Sequence, residues 1–442
     1  VAIDMDNGAF YTRKPDGTWT DSGDPTSGSS KTGATFTDML TKLPSGTNWI
    51  PWMKINNGEG HTINFGQKKF ILGDAPTGYK CLCSTNYPDT LSASNASNNL
   101  KHISVRSRHG GGTTQYFDFP PSLVLEKGYP DSGNAWYLFD GIRGDDQYMH
   151  PNTSGASANG SGSMDFDFTN NKFTVASSFD WNATKNVLSV AWNVGSSAAT
   201  ASTEGSITPA EQWVNTEGGM SITKYVGDGA SDASVGHGLS VKPSMIIIKN
   251  YDATANWKCW VNGLDSNKTL TLNSPDNAYS SSWTEPNNTV FKPARSGDTW
   301  LNGSGNNYIA YCFADIDGLF RAGVYYGNGS ATRGPYIHTN FLPQFVFIKK
   351  WADSANWRTL SSVQYENVAE GLEQSNNQAY SFNENNTENY INLNAGMGFG
   401  GEYVSLDAGG FKIVTTDGLY NTDNTAYSWF AWGERPFKNG RS

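Results

Sequence analysis

Charge, cysteine, long apolar runs and basic excess are all scarce in this 442-residue sequence. Asp, Glu, Lys and Arg make up 16% of it, and 41 acids against 31 bases give a net charge of −10. An acidic balance spread evenly along the chain argues against nucleic acid as a partner. No run approaches the roughly 18 apolar residues of a membrane span, so no membrane insertion is expected. Four Cys in 442 residues do not make a disulfide scaffold. Cys81 and Cys83 stand too close for an unstrained mutual bridge and lack a second ligand pair for zinc. With Cys259 and Cys312 they read as free thiols made in a reducing cytoplasm. Neither an initiator Met nor a signal-peptide pattern opens the chain, which begins Val1-Ala-Ile-Asp4 inside a strand-like pattern. The expectation is a chain processed or truncated at its N-terminus.

Recognisable catalytic signatures are missing too. No Gly-x-Ser-x-Gly elbow, phosphate-binding loop or dinucleotide fingerprint stands in a strand–turn–helix setting. The glycine-rich turns lead from strand to strand, so they offer no helix N-terminus to an anion. The six His (His61, His102, His109, His150, His237 and His338) show no metal-ligand spacing and read as solvated loop residues. The sequence therefore assigns no catalytic, cofactor-binding or metal-ligating residue. No enzyme and no cofactor are expected, and binding residues stay unassigned.

What is abundant is glycine, with 48 residues, and aromatics, at 13% with 15 Trp. This is a turn-rich β composition. Three stretches are nearly the same: Pro121-Ser-Leu-Val-Leu-Glu-Lys127, Pro243-Ser-Met-Ile-Ile-Ile-Lys249 and Pro343-Gln-Phe-Val-Phe-Ile-Lys349. Each reads as a strand, and its apolar odd and even positions predict cover on both faces. Each is followed by Trp136, Trp257 or Trp357. Upstream stand Gly110-Gly-Gly112, Gly227-Asp-Gly229 and Gly327-Asn-Gly329, which suit the positive φ of a tight hairpin. Downstream, Val190-Ala-Trp192, Ile309-Ala-Tyr311 and Phe430-Ala-Trp432 end what should be the last strand of each copy. The first copy departs most, with Glu126 where the others carry Ile248 and Ile348.

Taken in order, residues 1–80 form one unit. It opens with a hairpin at Asn7-Gly8 and carries further strands at Asn48-Trp-Ile-Pro-Trp-Met53 and Thr62 to Phe70. Residues 81–100 are a polar linker. The first repeat spans 101–196, with a hairpin across Thr-Asn-Asn-Lys between Phe166-Asp-Phe168 and Phe173-Thr-Val175. Residues 197–219 are part connector and part edge strand. The second repeat spans 220–318, and the third with its fraying tail 319–442. Phe411 should match Phe173 in its repeat. The fold class expected is all-β, a row of antiparallel β-sandwich domains.

Asp4-Met-Asp-Asn-Gly8, an aromatic strand, Pro51-Trp52 and Ile63-Asn-Phe-Gly-Gln67 with Phe70 resemble the second half of a SPRY domain, a sandwich of concanavalin A type. With the three repeats behind it, the chain resembles the domains of tail-fibre and other virion proteins of marine bacteriophages. That resemblance implies a structural, adhesive virion component, assembled in the host cytoplasm. Its expected partners are other virion proteins, a host-surface glycan or receptor, and two further copies in a homotrimer covering sheet edges. The alternatives are a glycan-acting enzyme and a carbohydrate-binding module array. For the enzyme, the alternating acids Asp165 and Asp167, or Asp4 and Asp6, could form a pair; the plainer reading makes them solvent-side acids of half-buried strands. Trp136, Trp257 and Trp357 are either sugar-stacking platforms or core plugs, with core favoured. The Asn-rich loops at Asn287-Asn-Thr289, Asn376-Asn-Gln378 and Asn383 to Thr387 are candidates for recognition.

Overall fold

A computed structural model describes residues 2–4, 7, 9–14, 18–38, 102–109, 114–129, 135–176, 186–195, 197–199, 201–265, 268–280, 283–293, 299–361, 378–381, 403–407 and 409–433. The chain divides into two units, Val1–Asp89 and Thr90–Ser442. In the first, β1 (Ala2–Asp4) and β2 (Ala9–Tyr11) make the expected hairpin, with Asp4 opposite Ala9. Asp4 Oδ1 accepts the Asn7 backbone N–H at 3.0 Å and Oδ2 its side-chain amide at 2.8 Å, which ties the turn. The strands expected at 48–53 and 62–70, the linker at 81–100, Asp6, His61, Cys81, Cys83 and the tail from 438 lie outside the described residues.

In the second unit the first copy contributes β3 (Ile103–His109), β4 (Thr114–Tyr116), β5 (Leu123–Tyr129), β6 (Trp136–Asp140), β7 (Gln147–Met149), β8 (Ala158–Asn159), β9 (Met164–Asp167), β10 (Lys172–Val175) and β11 (Asn186–Trp192). They form a six-stranded sheet in the order β3-β11-β5-β6-β7-β8 and a small sheet β4-β10-β9. The second copy contributes β12 (Glu211–Asn215), β13 (Met220–Val226), β14 (Val235–Gly236), β15 (Met245–Asn250), β16 (Lys258–Val261), β17 (Lys268–Thr271), β18 (Tyr279–Ser280), β19 (Val290–Phe291) and β20 (Asn307–Phe313). Here the order is β12-β13-β20-β15-β16-β17-β18, with the pair β14-β19 beside it. The third contributes β21 (Phe320–Tyr326), β22 (Tyr336–His338), β23 (Phe345–Lys350), β24 (Arg358–Ser361), β25 (Gln378–Ser381), β26 (Val404–Asp407), β27 (Gly410–Ile413) and β28 (Ala426–Trp432). They are ordered β21-β28-β23-β24-β25 and β22-β27-β26. All pairings between these strands are antiparallel. The protein is all-β, as the composition predicts.

Each Pro-to-Lys segment lies beside the closing strand of its own copy, in one register. Leu123 faces Trp192, Met245 faces Phe313 and Phe345 faces Trp432. The strands are buried on both faces because each face has its own cover. In the first copy Val124 and Ala191 pack outward with Phe139, Phe166 and Phe173 of the sandwich interior. Leu123, Leu125, Val190 and Trp192 face the opposite way, into a core shared with the other copies. In the third copy Val346, Ile348, Trp429 and Ala431 line the outer sandwich, while Phe345, Phe347, Phe430 and Trp432 join the shared core.

That shared core corrects one feature of the expected architecture, the row. In a linear row the first and third copies would not meet. Instead Trp192, Phe313 and Trp432, one from the end of each closing strand, touch pairwise. Their ring centroids lie 6.4, 5.3 and 5.5 Å apart, and all three pairs are edge-to-face. Three equivalent aromatics in mutual contact define a pseudo-threefold axis. Such pairs contribute about 0.5–1.5 kcal/mol each beyond burial. The copies close round this axis because the inner face of every large sheet is apolar and has no small sheet of its own to cover it.

The glycine pairs also need correction. Gly227 to Gly229 and Gly327 to Gly329 do not close hairpins. Each is clamped against a one-turn helix, Thr299–Asn302 or Gly418–Asn421, that precedes the closing strand. The buried side chains of Asn302 and Asn421 accept the N–H of Asp228 at 3.0 Å and of Asn328 at 2.8 Å. A Cβ on Gly227 or Gly327 would stand 2.3 Å from the carbonyl oxygen of Gly303 or Thr422, so the close approach demands glycine. Of the positive φ expected of these motifs, only the third position carries it, +74° at Gly229 and +64° at Gly329. Gly110 to Gly112 lie outside the described residues.

Candidate functional site

The recurring tryptophans are core. Trp136, Trp257 and Trp357 are fully buried. Trp257 Nε1 donates to the carbonyls of His150 at 3.2 Å and Thr153 at 3.0 Å, both in the first copy. Trp357 Nε1 donates to Thr271 of the second copy at 2.9 Å. Trp136 packs 6.4 Å from Phe345 of the third. Each indole thus bridges to another copy. The lysines that end the central strands do likewise. Lys249 Nζ donates to the carbonyls of Ser154, Ala253 and Ala255 at 3.1, 3.1 and 2.8 Å. Lys349 Nζ donates to Pro275 and Ala355 at 2.8 and 2.5 Å. Burial pushes both ammonium groups down to about 8, and the carbonyls supply the compensating acceptors.

The acid pair on β9 behaves as the plainer reading has it. Asp165 is exposed and Asp167 half-buried, while Met164 and Phe166 on the other face are buried. Asp167 is held at about 2, chiefly by hydrogen bonds from Asn170 and also by Lys172. A general acid must keep its proton near neutral pH, and this carboxylate does not. The reading of the His as solvated loop residues fails at His102 and His237, which are buried; His102 contacts Asn215, His150 the Trp136 carbonyl and His237 the Asn287 carbonyl. Among the described residues no group of three His, Cys, Asp or Glu could hold a metal. Cys259 and Cys312 are buried, and burial pushes the Cys312 thiol up to about 12, which makes it unreactive. Asn287 Oδ1 caps its own turn, accepting the N–H of Thr289 and Val290 at 2.9 and 2.8 Å. The loops at 376–377 and 383–387 lie outside the described residues.

Sequence reasoning missed two other features. Where the three copies meet lies an apolar cavity of about 60 Å³, walled by Leu125, Met245, Trp257, Phe347 and Trp432 among others. The second is a polar pocket of about 350 Å³ at the seam of the first and second copies, lined by Arg143, Gln147, Ser157, Lys224, Tyr251 and Asp252. The Arg143 side chain is 3% exposed and pairs with the fully buried Asp140 at 2.7 Å. It also donates to Ser157 Oγ at 2.7 Å and to the Leu138 carbonyl at 3.3 Å. Tyr311 of the second copy donates its hydroxyl to Asp140 at 2.7 Å. Burial opposes the Arg143 charge, but the neighbouring Asp140 carboxylate outweighs it and holds the guanidinium's pKa above its ordinary value. Burial, and then Asp252, raise Tyr251, so its hydroxyl remains a donor. Lys224 Nζ lies 3.4 Å from both Glu211 and the Ile142 carbonyl. The six residues run from position 143 to 252, so no local motif announces them.

One family model matches residues 98–436, and its description is Domain of unknown function (DUF7483). No curated protein and no solved structure matches the chain. The matched stretch takes in all three copies and the seams between them, well over half of the sequence, and on that ground the chain belongs to the DUF7483 family.

Proposed function

We propose that the chain is a structural and adhesive component of a bacteriophage particle, a tail- or capsid-fibre-type protein that contacts a host surface or neighbouring subunits. The observation that supports this most is the edge-to-face triad of Trp192, Phe313 and Trp432, on which three copies of one β-unit close. Such a body offers a packed scaffold for loops such as the exposed turn at Asn287 and Asn288, and loops on β scaffolds are where recognition usually resides. The glycan-acting alternative draws less support, because Asp165 is exposed and Asp167 half-buried on β9, opposite the buried Met164 and Phe166, as solvent-side acids would be. A homotrimer would cover sheet edges, and beside β8 and β18 the next copy in the same chain already accepts the N–H of Ser157 and Ala278.

An antibody raised against the recombinant chain tests the reading. Gradient-purified particles from a lysate that encodes the chain are labelled and imaged by negative stain, with mass spectrometry of the same fraction. Label at one fixed place on the particle is expected. Particles free of the chain, or new reducing ends released from host polysaccharide by the purified protein, would overturn it.

A further inference from the structure

The two described seams between copies share matching hydrogen bonds and strand register, and they differ in polarity at most of the matched positions. Ser157 N–H donates to the Tyr251 carbonyl at 2.7 Å, and at the second seam Ala278 N–H donates to the Trp351 carbonyl at 3.0 Å. The Tyr251 N–H reaches the Asn307 carbonyl at 3.3 Å, and the Trp351 N–H reaches Ala426 at 3.1 Å. Leu138 pairs with Met149 as Cys259 pairs with Leu270. With this register fixed, Arg143, Ser157, Lys224, Tyr251 and Asp252 correspond to Leu264, Ala278, Val324, Trp351 and Ala352, while Gln147 corresponds to Lys268, a polar position at both seams. Leu264 and Trp351 are buried there, and Val324 and Ala278 pack against the shared core. The same architecture thus puts hydrocarbon at the Arg143, Ser157, Lys224 and Tyr251 positions of one seam and leaves a polar pocket at the other.

The geometry points to that pocket as a binding site for a single neutral sugar unit, and this rests on the adhesive reading above. A volume of about 350 Å³ lies at the small end of ligand pockets, which run from about 300 to 1,000 Å³. Its half-buried Tyr251 ring offers an apolar wall, and its lining alternates donors with acceptors: the Tyr251 hydroxyl, the Lys224 ammonium, the Gln147 amide and the Asp252 carboxylate. Adjacent hydroxyls of a pyranose ring can donate to a carboxylate and accept from an ammonium at once. Neutral ligands are favoured over acidic ones because both cations already have counter-charges. Arg143 is paired with Asp140, and Lys224 faces Glu211. Exposed Asp252 then leaves the mouth negative, and it takes the Asn307 side-chain amide as a neighbour.

Saturation-transfer NMR on the full chain, with the methyl glycosides of glucose, galactose and mannose as probes, tests this. At least one glycoside should show transfer. Asp252→Ala and Lys224→Val copy side chains that the second seam already carries, so both should fold with unchanged melting and weaken that signal at least tenfold. No transfer from any of the three, transfer that survives both variants, or binding confined to glucuronate or inorganic phosphate would each overturn the assignment. Failure here with particle labelling intact sinks the sugar site alone. Sugar binding by a chain absent from particles sinks the particle reading alone.

Discussion

Truncating Trp257 to alanine distinguishes a shared core from independent domains. The indole is fully buried in the second copy, and its N–H bridges to two carbonyls of the first. Trp→Ala in a core costs about 3–5 kcal/mol. If the copies unfold together, the cooperative unit is the stretch 98–436, about 340 residues. At about 2.1 cal/mol/K per residue its unfolding entropy is about 0.7 kcal/mol/K, so Tm should fall by about 4–7 °C. Were the second copy a separate domain, its roughly 100 residues would carry about 0.2 kcal/mol/K, and its own transition would fall by about 14–24 °C. Differential scanning calorimetry reads this directly. One transition for the repeats should shift modestly in Trp136→Ala, Trp257→Ala and Trp357→Ala alike. A thermogram with one peak dropping far and two unmoved would refute the shared core. Trp257→Phe keeps most of the burial but takes the indole donor from the Thr153 carbonyl, while the His150 carbonyl keeps the Thr153 N–H at 3.0 Å; it should cost about 1–3 kcal/mol.

Asn421→Ala removes the acceptor for Asn328 N–H and the donor to Ser330 and Thr415, so urea denaturation should show a loss of about 3 kcal/mol. Gly327→Ala should cost about 1–3 kcal/mol by overpacking against the Thr422 carbonyl, read from the same midpoint shift. The Cys312 thiol is held near 12 when folded and titrates near 8.5 when unfolded, so its contribution is intact below about pH 8.5 and is lost as pH rises. Wild type should therefore lose about 2 kcal/mol relative to Cys312→Ala between pH 7 and 10, and the opposite trend is expected against Lys249→Met, because Lys249 is lowered to about 8. Tyr311→Phe alone leaves buried Asp140 short of a donor and should cost about 1–3 kcal/mol. Asp140→Val, Arg143→Leu and Tyr311→Phe together copy apolar side chains used elsewhere in the chain and should be neutral to about 4 kcal/mol stabilising by thermal melt.

Local signals made much of the fold legible. Apolar odd and even positions from Leu123 to Leu125 predicted burial on both faces, and the pairing of Asp167 with Lys172 realises the Thr-Asn-Asn-Lys hairpin. Phe411 sits on the middle strand of its small sheet just as Phe173 does. Closure round an axis was not legible, because an aromatic at a strand end carries no mark of whether its own sandwich or another copy will cover it. Trp192, Phe313 and Trp432 meet across more than one hundred residues of sequence. The glycine motifs announced positive φ correctly at their third position, but φ does not say which element the turn serves. For the seam pocket a signal did exist. Setting the copies against one another shows Arg143 where the next has Leu264, and Lys224 where the next has Val324.

That asymmetry bears on why the polar seam exists. Burying Asp140, Arg143 and the Tyr311 hydroxyl takes two charges out of water, and the desolvation penalty commonly exceeds what the pairing returns. At the second seam Val261 and Leu264 fill the places of Asp140 and Arg143, and both are buried. At the inward position of Tyr311 the third copy has Phe430, buried in the shared core. An apolar solution is thus available within the same backbone, register and copy-to-copy packing. Stability alone therefore favours hydrocarbon at the first seam as well. What the polar version gains is a fixed guanidinium floor beneath an open pocket, with Ser157 oriented by Arg143 and Lys224 held beside Glu211. Side chains locked by buried partners are what a selective site needs, since a ligand then meets donors and acceptors already in position. The departure from the repeat pattern, more than the pattern itself, is what the proposed sugar site rests on.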